Sequence, residues 1–173
     1  SSQPYAPTLF TEREFALLRA ICSRLTGDGA LATTVDVARS IDHRLATGDS
    51  DGWRFADFPE DRVAWRLALR SIDGEAQTQF AQPFVQLSTD QQDSVLQAIQ
   101  VSDTSPEHWR QVEPKRMFTE MLAEVSQTFY GHPLAQEEIG YVGMADLPAW
   151  HAIGLDHLDD REPRPITSVD DPP

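Results

Sequence analysis

The stretch PKRMFTEMLAEVSQTFYGHP, residues 114–133, decides the fold class. Met117, Phe118, Met121, Leu122, Val125 and Phe129 recur at intervals of three and four, and Glu120, Glu124 and Gln127 lie opposite them. That spacing gives an amphipathic helix with one buried face. Pro114 suits its first turn, where a missing N–H leaves no bond unmade. At the far end Gly131 stands where a left-handed residue closes a helix, and Pro133 bars continuation.

The same pattern extends outward in both directions. Thr11 and Glu14 have the spacing of a capping box, and Phe15, Leu18, Cys22 and Leu25 follow as an apolar stripe ending at Gly27 and Gly29. A second helix is expected from Thr33 or Thr34, with Val37, Ile41 and Leu45 inward and a stop near Gly48. Pro59, Glu60 and Asp61 open a third, which carries Val63, Leu67, Leu69 and Ile72 to about Phe80, weakened by Gly74. Ser88 and Gln91 form another capping box before Val95, Leu96 and Ile99, and Pro106 opens a turn around Trp109. No alternating run of β-branched residues marks a strand. The expectation is an all-α chain: an extension over residues 1–10, one bundle of five or six helices over 11–147, and an extended proline-rich segment over 148–173. That last segment holds five of the twelve prolines and, from Asp156, six acids against two arginines, so it requires a surface to lie on or stays unfolded.

Length and charge bound the function. The chain has 173 residues, one domain of ordinary size, with a hydrophobic content of 40%. Its formal charge of −14 repels nucleic acid and anionic membranes and favours a complementary partner. No apolar run reaches the roughly 20 residues of a membrane span. No signal peptide is visible, which fits a cytosolic protein or an exported one after cleavage.

Most apparent motifs reduce to structure. GDGALA, residues 27–32, has the glycine spacing of a dinucleotide loop but follows a helix instead of a strand, so it reads as a cap and turn. TGDSDGWRFADF, residues 47–58, echoes a calcium loop with Asp49, Asp51 and Gly52 in register; Thr47 and Phe58 stand where the two end carboxylates belong. The five histidines show no His-x-x-x-His or Glu-x-x-His pair, although a metal or enzymatic role for His132, His151 and His157 is the rival reading. Cys22 lies on an apolar stripe and reads as a buried thiol. No nucleophile-and-base arrangement is visible.

Two features point to a partner. Arg62, Arg66 and Arg70 recur every four residues on one helix face, a basic stripe fit for docking, with Asp73 placed to pair three residues beyond. Phe129, Tyr130, His132, Tyr141 and Trp150 cluster with Gly131, Gly140, Gly143 and Gly154; aromatics anchor interfaces and glycines allow close backbone approach. These eight side chains are the candidate contacts.

Over most of residues 10–150 the chain resembles the small third subunit of membrane-associated gluconate 2-dehydrogenase. The likeness rests on RLTGDGALAT (24–33), FVQLSTDQQDSVLQAIQ (84–100) and, most specifically, FTEMLAEVSQTFYGHPLAQEEIGYVGMADLPAW (118–150). The resemblance implies a non-catalytic partner of a large FAD-containing dehydrogenase of the glucose–methanol–choline type, with no cofactor of its own. It also implies a c-type cytochrome as electron acceptor and a periplasmic site reached by twin-arginine export. Relatives serve gluconate 2-dehydrogenases and glucoside 3-dehydrogenases alike, so sugars, sugar acids and glycosides remain open as substrates.

Overall fold

The computed structural model describes residues 5–27, 30–48 and 59–138. Five helices form the body: α1 (Glu12–Thr26), α3 (Val37–Thr47), α4 (Asp61–Phe80), α5 (Thr89–Gln100) and α6 (Pro114–Tyr130). Two short ones, α2 (Ala30–Thr34) and α7 (Pro133–Glu138), lie in the connections, and a single 3₁₀ turn covers Phe84–Gln86. Among the described residues there is no strand. The expected all-α bundle is therefore the fold. The proline-rich segment over 148–173 lies outside the described residues, as do residues 49–58 of the calcium-like stretch. No described helix is long and apolar enough to cross a membrane.

Both capping boxes form. The Thr11 side chain accepts from the Glu14 N–H while the Glu14 carboxylate accepts from the Thr11 N–H, and Ser88 and Gln91 repeat the exchange. Each box satisfies two backbone donors that a helix start leaves orphaned. The second long helix starts later than expected. The five-residue helix α2 intervenes, and α3 begins only after Asp36, whose carboxylate accepts from the Arg39 N–H. A charged oxygen at the cap wins over the threonine hydroxyls upstream. Gly48 closes α3 at φ +76°, a left-handed position that favours glycine.

Helix α1 is central: it packs against α3, α4, α5 and α6. It therefore buries two adjacent stripes, with Leu17 and Ile21 inside along with Phe15, Leu18 and Cys22. Burial of each large apolar side chain contributes about 1.5–3 kcal/mol. Helix α4 departs from expectation. Its inner face is built from Ala64, Trp65, Ala68, Leu69, Ile72 and Ala76, and Val63, expected inside, is 49% exposed. Three of those six residues are alanines, so the large apolar residues alone do not mark the buried face. Arg44 ties three helices together: its Nε lies 2.7 Å from Glu124 on α6 and its Nη1 3.6 Å from Asp61 on α4.

Candidate functional site

The end of α6 divides the aromatic pair between core and surface. Phe129 completes the buried stripe begun by Met117, Phe118, Met121 and Val125. Tyr130, edge-on to it with ring centroids 5.2 Å apart, is 54% exposed. Phe129 thus supports the surface from within, and Tyr130 presents it. Gly131 is not left-handed, contrary to the sequence expectation: its φ of −72° and ψ of −14° are right-handed helical. Its glycine answers to crowding instead, because a Cβ there would lie 2.7 Å from the Gln127 carbonyl oxygen.

Pro133 stops α6 but also opens α7, where its missing N–H is harmless. His132 organises this corner. Its carbonyl accepts from the N–H groups of Ala135 and Gln136 at 3.0 and 3.1 Å. Its Nδ1 accepts from the Leu134 N–H at 3.3 Å, which places the proton of the neutral ring on Nε2. Leu134, 41% exposed, stands beside it, while Ala135 is buried. The described part of this site therefore exposes Tyr130 before, and Leu134 after, a corner held by His132. Leu134 escaped the sequence reading because a lone leucine after a proline carries no periodic signal. Tyr141, Trp150, His151 and His157 lie outside the described residues.

Two of the three arginines on one face of α4 bond backbone carbonyls of other segments. Arg62 Nη2 donates to the Ala46 carbonyl at 3.1 Å, and Arg66 Nη2 donates to the Leu9 carbonyl at 2.5 Å. Arg66 Nε lies 3.8 Å from Glu14 and makes no hydrogen bond. Both side chains thus clamp backbone from other segments onto α4. Arg70 is exposed. Asp73, expected to pair with it, instead accepts the Phe84 N–H at 2.9 Å and faces Arg13 at 3.5 Å. A backbone donor at an irregular turn is a more demanding client for that carboxylate than a hydrated arginine.

Two buried carboxylates, neither singled out in the sequence, fix the segments around these surfaces. Asp42 accepts from the Tyr5 hydroxyl and the Thr8 N–H, both at 2.7 Å, and from the N–H groups of Leu9 and Phe10 at 3.1 and 3.0 Å. Burial pushes its pKa up, but the donors of Thr8, Phe10, Tyr5 and Leu9 together outweigh it and hold the carboxyl below its ordinary value. Glu75 accepts from the Ser105 N–H at 2.7 Å and from Trp109 Nε1 at 3.1 Å. It ties the irregular α5–α6 connection to α4. Ser71 Oγ donates to the His108 carbonyl at 2.6 Å, and the His108 ring lies over Gly74 with Nε2 2.9 Å from Thr78 Oγ1. The turn expected at Pro106 is present: His108 N–H donates to Ser105 and Trp109 N–H to Pro106.

Cys22 is buried, as its stripe implied. Burial, with a smaller contribution from the Asp36 carboxylate, pushes its pKa up to about 12. Among the described residues no three His, Cys, Asp or Glu side chains gather as a metal would require.

Fold and surface together define a class: a small all-α protein that exposes Tyr130 and Leu134 at the end of its last long helix. The family model described as gluconate 2-dehydrogenase subunit 3 matches residues 12–147, and the chain belongs to that family. Neither the curated proteins nor the solved structures yield a match.

Proposed function

We propose that this chain is the non-catalytic small subunit of a periplasmic oxidoreductase, which binds and stabilises a large FAD-dependent dehydrogenase and accompanies it through twin-arginine export. The large subunit carries the flavin and oxidises sugars, sugar acids or glycosides, and a c-type cytochrome takes the electrons. This chain holds no cofactor. The observation that carries the reading is membership of the subunit 3 family across residues 12–147. Its chemistry is consistent with the surface: Tyr130 and Leu134 are exposed apolar side chains on a capped corner, in the stretch where the sequence places its aromatic cluster. In this reading Tyr130 and Leu134 touch the partner, Phe129 and His132 support them, and Tyr141 and Trp150 extend the contact.

Purification of the tagged full chain from its native extract tests this. A large yellow partner at near equal stoichiometry, with dye-reducing activity, is the expected result. Combined substitution Tyr130→Ala and Leu134→Ala should weaken the complex about tenfold or more, as loss of a central anchor does, while the fold is retained. A folded chain that emerges colourless and alone refutes the proposal.

A further inference from the structure

A second surface lies between α4 and the α5–α6 connection. A cavity of about 260 Å³ is lined there by Leu67, Arg70 and Ser71 on one side and by Glu107, Arg110 and Val112 among those on the other. The described residues contain ten arginines. Arg13, Arg19, Arg24 and Arg44 face carboxylates, Arg62 and Arg66 bond carbonyl oxygens, Arg39 lies over the Tyr5 ring, and Arg116 is engaged as well. The two that remain without a partner among the described residues are Arg70 and Arg110, and both line this one cavity. Among the described residues arginines without a partner are scarce, and two of them on one cavity make a setting that an anion could use.

The lining also specifies the anion. Leu67 and Val112 give it an aliphatic wall. Ser71 is no free donor, since its hydroxyl is spent on the Leu67 and His108 carbonyls. With Glu107 beside them the two arginines leave a surplus of one positive charge, which balances a single carboxylate and only half of a phosphate dianion. Along α4, Val63, Leu67 and Arg70 stand at i, i+4 and i+7, so an exposed apolar contact leads up to the cavity. A small free acid would not use that approach; a protein segment would.

We infer that this cavity is a docking pocket for an Asp or Glu side chain flanked by an apolar residue, supplied by the large subunit. The inference rests on the partner reading above and adds a second, electrostatic contact that the aromatic corner does not provide. It includes Arg110, which lies outside the α4 stripe.

Arginine-selective labelling of the full chain with phenylglyoxal, read by mass spectrometry with and without the purified large subunit, tests it. Arg70 and Arg110 should be shielded in the complex, while Arg13, whose side chain is 80% exposed, stays reactive as the internal control. The double charge reversal Arg70→Glu and Arg110→Glu should weaken the complex at least about tenfold and flatten its salt dependence, because exposed interfacial charges act through a screened attraction. A complex that forms through Tyr130 and Leu134 but leaves Arg70 and Arg110 fully reactive overturns this inference and leaves the subunit reading intact. Failure of the wild-type chain to form any complex overturns both. Shielding in the free chain that disappears when residues 148–173 are removed makes the chain's own acids the occupant and overturns a partner carboxylate. Shielding that rises with the concentration of the chain alone makes it a second copy, with the same consequence.

Discussion

Replacement of Asp42 by alanine should release the segment before α1 from the bundle. The carboxylate serves four donors: Oδ2 takes the Tyr5 hydroxyl and the Thr8 N–H, and Oδ1 takes the Leu9 and Phe10 N–H groups. Hydrogen bonds to a charged acceptor each contribute about 1.5–3 kcal/mol, and a buried donor left unmatched costs about 1–3 kcal/mol. Those values cannot simply add, because the segment can detach and return its donors to water. The loss is then limited by what docking contributes, chiefly burial of Phe10, now 4% exposed, at about 2–3 kcal/mol, plus the surplus of the charged bonds. Asp42→Ala should therefore lose about 3–4 kcal/mol in urea unfolding. Asp42→Asn keeps one acceptor oxygen and should lose about half as much. Amide exchange gives the local readout: Thr8, Leu9 and Phe10 should lose protection first. The pH response follows from the direction of the shift. A carboxyl held low in the folded state stabilises the protein above its unfolded value of about 3.9. That stabilisation disappears as pH falls through the lower folded value, so the wild type should weaken below about pH 4 and Asp42→Asn should show less of that slope. An Asp42→Ala protein less than about 1 kcal/mol destabilised, with those three amides still protected, would refute the reasoning.

Gly74→Ala places a Cβ 2.7 Å from Nδ1 and 2.9 Å from Cε1 of His108, so the ring must move and leave Thr78. Overpacking of about 1–3 kcal/mol should outweigh the helix-propensity gain of about 1 kcal/mol, and the melting temperature should fall. Adding His108→Ala should remove the clash and recover part of the loss; no recovery would put the crowding elsewhere. Cys22, with its pKa pushed up to about 12, should react with Ellman's reagent at pH 8 at least about a hundredfold faster in denaturant than in the native protein. Equal rates in the two states would show that the α1 stripe opens freely to solvent.

Capping boxes and apolar stripes are legible in the sequence because they act over three or four residues, whereas the Gly131 cap and the start of α3, equally local, are not. Thr11 with Glu14 and Ser88 with Gln91 specify their helix starts within one turn, and the stripe from Met117 to Phe129 states which face is buried. Other contacts that escaped are set over long separations. Tyr5 meets Asp42 across 37 residues, and Glu75 meets Ser105 across 30, so neither carboxylate could be known as buried from its neighbours. Val63 and Leu69 look alike as apolar residues on α4, yet one is 49% exposed and the other 1%. The buried face of α4 is half alanine, and alanine carries too weak an apolar signal to mark a face by spacing. The candidate site was legible to the same degree. Tyr130 reads as a surface aromatic and is exposed, but Arg62 and Arg66 bond carbonyls of Ala46 and Leu9 that no spacing rule connects to them.

The Glu75, Ser71 and His108 contacts have a consequence for recognition. The α5–α6 connection is irregular, and a wall of that kind ordinarily has to be ordered when something binds against it. Here it is ordered in advance: the Ser105 N–H, the Trp109 indole and the His108 carbonyl are all anchored to α4, and Trp109 and Val112 are buried. A side chain entering between Leu67 and Val112 meets a preorganised receptor and loses no affinity to loop ordering. Affinity at this surface should accordingly track the stability of α4 itself, so substitutions deep in the bundle would alter recognition without touching the partner.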